Sequence, residues 1–405
     1  MIKNNKFNYK KKILLILYPY KFREFDYFKN ELSYLKKKSD LEIIIHDLSL
    51  ILNSKSINNS WMSKESLDAI RFSSLVKWIF SLIKIRNKYK NILIYNFIEC
   101  RNFSSFVIYF FLKILNFPLL IAISPQVAEK KIKKTINYTM LKIFTNFFNY
   151  KFIYFYINFY IFSFLKKFIY FKNVILLKIG SVKENLFLYG NTSYISFNSL
   201  DFSNNLLLGK KKKKLNKKYI LYLDTPEPYF KDDMHIIGAH KKEKIDNWYK
   251  DLISFFLDLE KFFSAKVIII PHHKNKGTVN PYFNNFEINH DNDAVIKLSN
   301  NCQFLISKGS TALSCAIINY KPIIFIYSSW YNFNRSYIAN LFYQAKLIGT
   351  KPVNIENYSN KEILGNLKVS KRKYEDYKYK YLTNKNMKNR PNHIIIGDII
   401  KNFFK

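Results

Sequence analysis

Two polar clusters in the second half of the chain have the residue types needed to hold and polarise a phosphate. Pro271, His272, His273 and Lys274 follow an apolar run at 267–270, and Lys308, Gly309, Ser310 and Thr311 follow a second run at 304–306. A Gly-Ser-Thr turn that enters a helix offers unpaired backbone N–H groups, small hydroxyls and the positive end of a helix dipole. An imidazole and an ammonium on a neighbouring loop would face the same anion. The chemistry these types suit is the binding of a nucleotide phosphate, with His272 giving a hydrogen bond or positive charge and Lys274 or Lys308 adding electrostatic pull. Ser310 and Thr311 equally suit a plain helix cap, and the two roles are compatible.

The elements that must position these clusters are legible around them. Three short runs rich in β-branched residues, at 267–270, 304–306 and 323–326, alternate with helical periods at 293–298 and 311–318. That alternation predicts a parallel sheet with crossover helices, and the lack of polar alternation within the runs predicts strands buried on both faces. In open α/β sheets ligands gather outside the carboxyl ends of the strands, where both polar clusters fall. A further strand at 219–223 ends at Asp224 and a proline-containing turn. The helix predicted over 246–263 places Trp248, Leu252, Phe255, Phe256 and Leu259 on one face.

The first half repeats the pattern without the same chemistry. A strand at 13–17, a helix at 22–38 and a strand at 41–45 make a βαβ unit, but its first turn lacks GxGxxG, so no dinucleotide fingerprint is present. Strands are expected again at 91–95 and 119–123, with an aromatic-rich helix at 103–115. His46 and Asp47 end the second strand, where loop hydrogen bonding is the commoner role of such a pair. Glu99 lies just beyond the third. An acceptor hydroxyl would need a base, and Asp47, Glu99 and Asp224 are candidates that the sequence does not separate. No zinc spacing, P-loop, GxSxG or internal repeat is found.

Length and composition set the frame. At 405 residues two domains are expected: 1–209, a basic linker at 210–218, and 219–405. Hydrophobic residues make up 48%, which excludes disorder across the chain. The net charge of +37, from 66 Lys and Arg against 29 Asp and Glu, favours anionic partners. Lys, Asn, Ile, Phe and Tyr are abundant together, however, as AT-rich coding produces, so the charge argues little for nucleic acid, and no nucleic-acid recognition motif is present. Cys100, Cys302 and Cys315 share no metal or redox spacing, which points to a reduced, cytosolic setting. The apolar run at 13–17 is too short for a signal peptide. Within the densely aromatic stretch 147–171, the uninterrupted core at 152–165 falls short of the roughly 20 apolar residues that span a bilayer. A buried domain helix and a helix lying in the headgroup region of an anionic membrane both fit it.

The order YILYLDTPEPYF, WYKDLISFFLDLEKFF, KVIIIPHHK and LISKGSTALSCAIINYKPIIFI resembles a family of proteins from bacterial surface-polysaccharide loci. Those proteins look like GT-B glycosyltransferases and, more distantly, like bacterial sialyltransferases and transferases that use CDP-glycerol. Asp224, His272 with Lys274, Ser310 with Thr311, and Lys321 with Pro322 stand at the family's motif positions; His273 stands where the family has proline. The resemblance covers about residues 219–330. It implies an α/β fold of GT-B type, with two Rossmann-like domains whose parallel sheets face each other across a cleft. It also implies transfer from a nucleotide-sugar donor to a polysaccharide or lipid-linked acceptor at the inner face of the cell membrane, with no cofactor and no obligatory metal. Transfer of a polyol phosphate from a CDP-activated donor, and a non-catalytic GT-B-like component of a polysaccharide assembly complex, are the alternatives.

Overall fold

The computed structural model describes residues 11–38, 41–52, 69–123, 157–158, 160–162, 164–181, 190–209, 217–225, 242–272, 280–329 and 335–405. Seven strands form the first sheet: β1 (Lys12–Tyr18), β2 (Leu41–Asp47), β3 (Ala69–Arg71), β4 (Asn91–Asn96), β5 (Leu119–Ile123), β6 (Phe171–Ile179) and β7 (Gly190–Phe197). Six form the second: β8 (Tyr219–Leu223), β9 (Lys266–Ile270), β10 (Glu287–Ile288), β11 (Leu305–Ser307), β12 (Ile323–Tyr327) and β13 (Val353–Asn354). The orders are β3-β2-β1-β4-β5-β6-β7 and β10-β9-β8-β11-β12-β13. Every strand pair is parallel.

The central strands of both sheets are covered on both faces, which is why β1, β8, β9 and β12 are almost continuously apolar. Along β8 the side chains of Tyr219, Leu221 and Leu223 enter one core while Ile220 and Tyr222 enter the other. Along β1 the same division separates Ile13, Leu15 and Leu17 from Leu14 and Ile16. The helix Lys242–Phe263 supplies Trp248, Leu252, Phe255, Phe256 and Leu259 to the second of the two β8 cores, on the face its periodicity predicts.

Three features go beyond the expected elements. The helix expected over 22–38 is two helices, Glu24–Lys29 and Leu32–Lys38, separated where Glu31 takes φ 56°. Glu31 is fully buried there, its carboxylate accepting from the His393 backbone N–H at 2.9 Å and lying 2.7 Å from the ring Nδ1. The chain after β13 forms the helices Asn360–Asn366 and Lys371–Tyr377 and a π turn Lys378–Leu382. The second of these helices has its own N-cap, Ser370. Finally, the helix Leu75–Lys88, capped by Ser74 accepting from Lys77 N–H, buries Trp78 and Leu82 beneath the first sheet.

The last helix, Asn392–Phe403, does not stay with the second domain. Ile395, Ile396, Ile399 and Ile400 pack with Leu14, Ile16, Leu32 and Leu35 in the core of the first. The returning chain is pinned by a buried amide network. Asn198 Nδ2 donates to the Arg390 carbonyl at 2.7 Å, Thr383 Oγ1 to Asn198 Oδ1 at 2.6 Å, and Asn392 N to Ser203 Oγ at 2.6 Å. At Gly180 (φ 63°) an added Cβ would lie 2.1 Å from the Lys380 carbonyl oxygen, so only glycine allows the two backbones to touch.

Candidate functional site

Register places three strand tips side by side. Leu223 of β8 is opposite both Ile270 of β9 and Ser307 of β11. Asp224, Pro271 and Lys308 therefore leave the sheet at one level, with Asp224 between the other two. The chain runs from β8 outward to β9 and β10, then returns to the other side of β8 as β11. This reversal is a topological switch point, where a crevice opens beyond the strand ends.

That crevice is present as a cleft of about 90 Å³, open to solvent. Asp224, His272, Ser310 and Thr311 line its second-domain wall, with Asp291 and Asn292 from the loop after β10. The opposite wall comes from the first domain: Phe25, Phe28 and Lys29 of the helix after β1, and Asp201 and Asn204 of the helix Leu200–Leu208. The two walls touch where Ser314 Oγ donates to Asp201 Oδ2 at 3.3 Å. Within the first-domain wall, Lys29 Nζ lies 3.9 Å from Asp201 Oδ1 and Asn204 Nδ2 donates to the Lys29 carbonyl at 2.9 Å. Phe202, from the same helix, enters the second-domain core.

The turn after β11 is built differently from the expectation of free amides. Ser307 Oγ accepts from both Gly309 N and Ser310 N at 3.0 Å, and Ser310 Oγ accepts from Ala312 N at 3.3 Å. Three amides of the turn are thus already paired with hydroxyls, and the helix that follows is short: a 3-10 turn Thr311–Leu313 and then Ser314–Ile318. A dipole argument is correspondingly weak. What the turn presents to the cleft is Thr311 and Ser310 themselves. Gly309, at φ 100°, is required by the shape of the bend, because a side chain at that angle is strained.

Other candidates lie elsewhere. Lys308 is 3% exposed, and its ammonium sits over the Trp248 ring, 4.6 Å from the centroid. It is not among the residues lining the cleft. Asp47 is buried and its carboxylate accepts from Phe22 N, Ser49 N and Arg71 Nε at 3.0–3.1 Å, which organises the loop after β1. Its neighbour His46 is fully buried, accepts from Trp78 Nε1 at 3.2 Å, and is held neutral because burial pushes its imidazole down to about 3. Glu99 is exposed and ion-paired to Arg101. Neither Asp47 nor Glu99 lines the cleft. Lys274 and His273 fall outside the described residues.

Sequence reasoning missed Lys29, Asp201 and Asp291. Lys29 sits on a helix whose apolar period drew all attention, and Asp201 precedes the basic linker in a stretch with no motif. All three cysteines are free and buried, and burial pushes their thiols up, Cys100 to about 11 and Cys302 to about 12. Cys315 lines the cleft, but burial raises its thiol likewise, so it is no nucleophile. The described wall carries Asp201, Asp224 and Asp291 against Lys29 and His272, an acidic balance in a strongly basic chain. Carboxylates of this kind suit sugar hydroxyls, or a proton in transfer, better than they suit phosphate.

No family model matches the sequence, and no curated protein matches it. Among solved structures, the chain is similar to an S. aureus MnaA-UDP co-structure (TM-score 0.49, 12% identity, 97% of this chain and 96% of that one). It is also similar to UDP-GlcNAc 2-epimerase from Methanocaldococcus jannaschii (0.46, 10%, 97% and 99%) and to the wall teichoic acid polymerase TagF (0.46, 13%, 97% and 88%). At these scores the likenesses assign no residue a role, and the roles below come from this chain's own geometry.

Proposed function

We propose that this protein transfers a sugar from a nucleotide-activated donor to an acceptor of a growing cell-surface polysaccharide, acting at the inner face of the cell membrane. The observation that carries the reading is the convergence of Asp224, His272 and the Ser310-Thr311 turn on one cleft whose far wall belongs to the other domain. Two substrates can meet in such a space, each held by its own domain.

In this reading the donor phosphate lies between His272 and Thr311. The imidazole and the Thr311 hydroxyl stabilise charge that grows on the leaving group, and Lys274 adds a cation from the loop that follows. Asp224, only 4% exposed and centred between the other two strand tips, takes the proton of the acceptor hydroxyl. Asp201 is already engaged with Ser314 and Lys29 and holds the walls together. Asp291 stands at the exposed rim, placed for a sugar hydroxyl. No cofactor or metal is required by these roles.

Calorimetric titration with CMP, CDP and UDP tests the proposal. At least one nucleotide should bind, and His272→Ala should weaken it by tenfold or more without unfolding the protein. Failure of all three nucleotides to bind would sink an active transferase. Product analysis with the bound donor then separates a sugar transfer, which releases free sugar and nucleotide on slow hydrolysis, from a polyol-phosphate transfer, which releases polyol phosphate and CMP.

A further inference from the structure

The first domain carries an outward-facing apolar stripe. The helical residues within 157–165 and the 3-10 turn Lys166–Phe168 expose Ile157, Tyr160, Ile161, Phe164 and Phe168, each between 48 and 66% accessible. The first four are spaced i, i+3, i+4 and i+7, so they lie along one face of a helix, and Phe168 follows on the 3-10 turn at its end. The inward face is occupied too: the Phe162 ring packs 6.1 Å from Phe103 and 5.7 Å from Phe106, and Cys100 Sγ donates to the Phe162 carbonyl at 3.7 Å. The helix Phe103–Ile114 alongside it shows the same habit. It exposes Phe103 at 63%, Phe110 at 44% and Ile114 at 57%, spaced i, i+7 and i+11. Two neighbouring helices thus turn large apolar side chains to solvent, a surface that soluble monomers rarely leave bare.

The charges around the stripe say what covers it. No Asp or Glu stands between Glu129 and Glu184, and none stands on the helix Phe103–Ile114. Lys113, Lys167 and Lys172 are exposed there, and the Lys167 ammonium lies 5.7 Å from the Phe164 ring centroid. A second copy of the chain on this face would bring lysines against lysines. A layer of lipid phosphates would neutralise them while accepting the rings below. Phe and Tyr with flanking lysines are the residue types that settle at the headgroup and acyl boundary. Among the described residues no helix is long and apolar enough to cross a membrane. We propose that this stripe is a docking surface that rests on an anionic lipid bilayer, with Ile161, Phe164 and Phe168 inserted below the phosphates. The inference is independent of the transfer reaction.

Co-sedimentation of the full chain with vesicles tests it. Vesicles of phosphatidylcholine with one third phosphatidylglycerol should bind the protein, and vesicles of phosphatidylcholine alone should bind it less. Because the whole chain is basic, the decisive variant leaves charge untouched: Ile161→Ser, Phe164→Ser and Phe168→Ser together. This triple variant should partition at least tenfold less, by lost apolar insertion, with an unchanged melting temperature. Leu257→Ser with Phe262→Ser, exposed on the other domain, should bind as the parent does. Salt should weaken binding without abolishing it. Equal partitioning of the triple variant and the parent, or complete loss of parental binding in high salt, would overturn the proposal. So would a parental dimer that the triple variant converts to monomer while vesicle binding persists.

Discussion

The first and second domains each carry a histidine and an aspartate at the carboxyl ends of parallel strands, and the two sets meet opposite fates. At the end of β2, His46 and Asp47 are sealed. Trp78 donates to the imidazole, and two backbone amides and Arg71 donate to the carboxylate. After β8 and β9, Asp224 and His272 open onto a cleft. The residue types are the same, although His46 and Asp47 are the last two residues of their strand and Asp224 and His272 lie one and two residues past theirs. What differs is the cover: the helix Leu75–Lys88 and the loop after β1 close over the first pair, whereas the second pair faces a gap that the other domain borders without filling. A polar residue at a strand tip is a candidate for chemistry only if the fold leaves it facing a cleft.

The comparison can be broken most directly by substituting both sides. His272→Ala should reduce transfer by two or more orders of magnitude, the scale expected when a group that stabilises developing charge is lost, with little change in melting temperature. Asp47→Ala should do the reverse. It strands two backbone amides and a guanidinium, costing about 3 kcal/mol of stability, while the fraction that remains folded keeps its turnover. Thermal melts paired with rate measurements decide between the two behaviours. If His272→Ala melts early and Asp47→Ala is stable but inactive, the assignment of the two clusters is inverted.

Acid sharpens the contrast. His46 is neutral in the folded protein, with its imidazole depressed to about 3, whereas the unfolded chain takes up a proton near 6.5. The stability this residue contributes is therefore complete above pH 6.5 and is lost as pH falls from there toward 3. His46→Asn, which can still accept from Trp78, should be flatter than the parent over that window in denaturant titrations. Equal slopes would mean that the ring is not sealed. The smallest effect is expected at Lys308. Its ammonium lies on Trp248 away from the cleft, so Lys308→Met should cost about 1 kcal/mol of stability and change nucleotide affinity less than twofold. A large loss of affinity would return Lys308 to the site.

Much of the frame was readable before any coordinates. The strands at 13–17, 119–123, 219–223 and 267–270 announce themselves because strands buried on both faces need unbroken apolar runs, and the observed β1, β5, β8 and β9 lie on them. The helix ending at Phe263 is as legible, since one face must be apolar for all of its length. Less visible were Ala69–Arg71, too short to show a period, and the break at Glu31, which depends on a partner 362 positions away. Within the site, the strand-tip residues Asp224, His272, Ser310 and Thr311 could be named in advance. Asp201 and Lys29 could not, because their relevance comes from a helix of one domain leaning on the other.

The amino-acid sequence by itself determined two parallel sheets, the level at which each strand gives way to polar residues, and the chemical types available there. These are local or periodic properties, set by burial on two faces and by the residues that stop a strand. Tertiary structure alone decided which tips are covered, that Ser307 consumes the amides of its own turn, and that the final helix crosses back to the first domain. Each of those outcomes depends on groups far apart in the chain coming within hydrogen-bonding or packing distance, and no periodicity records that.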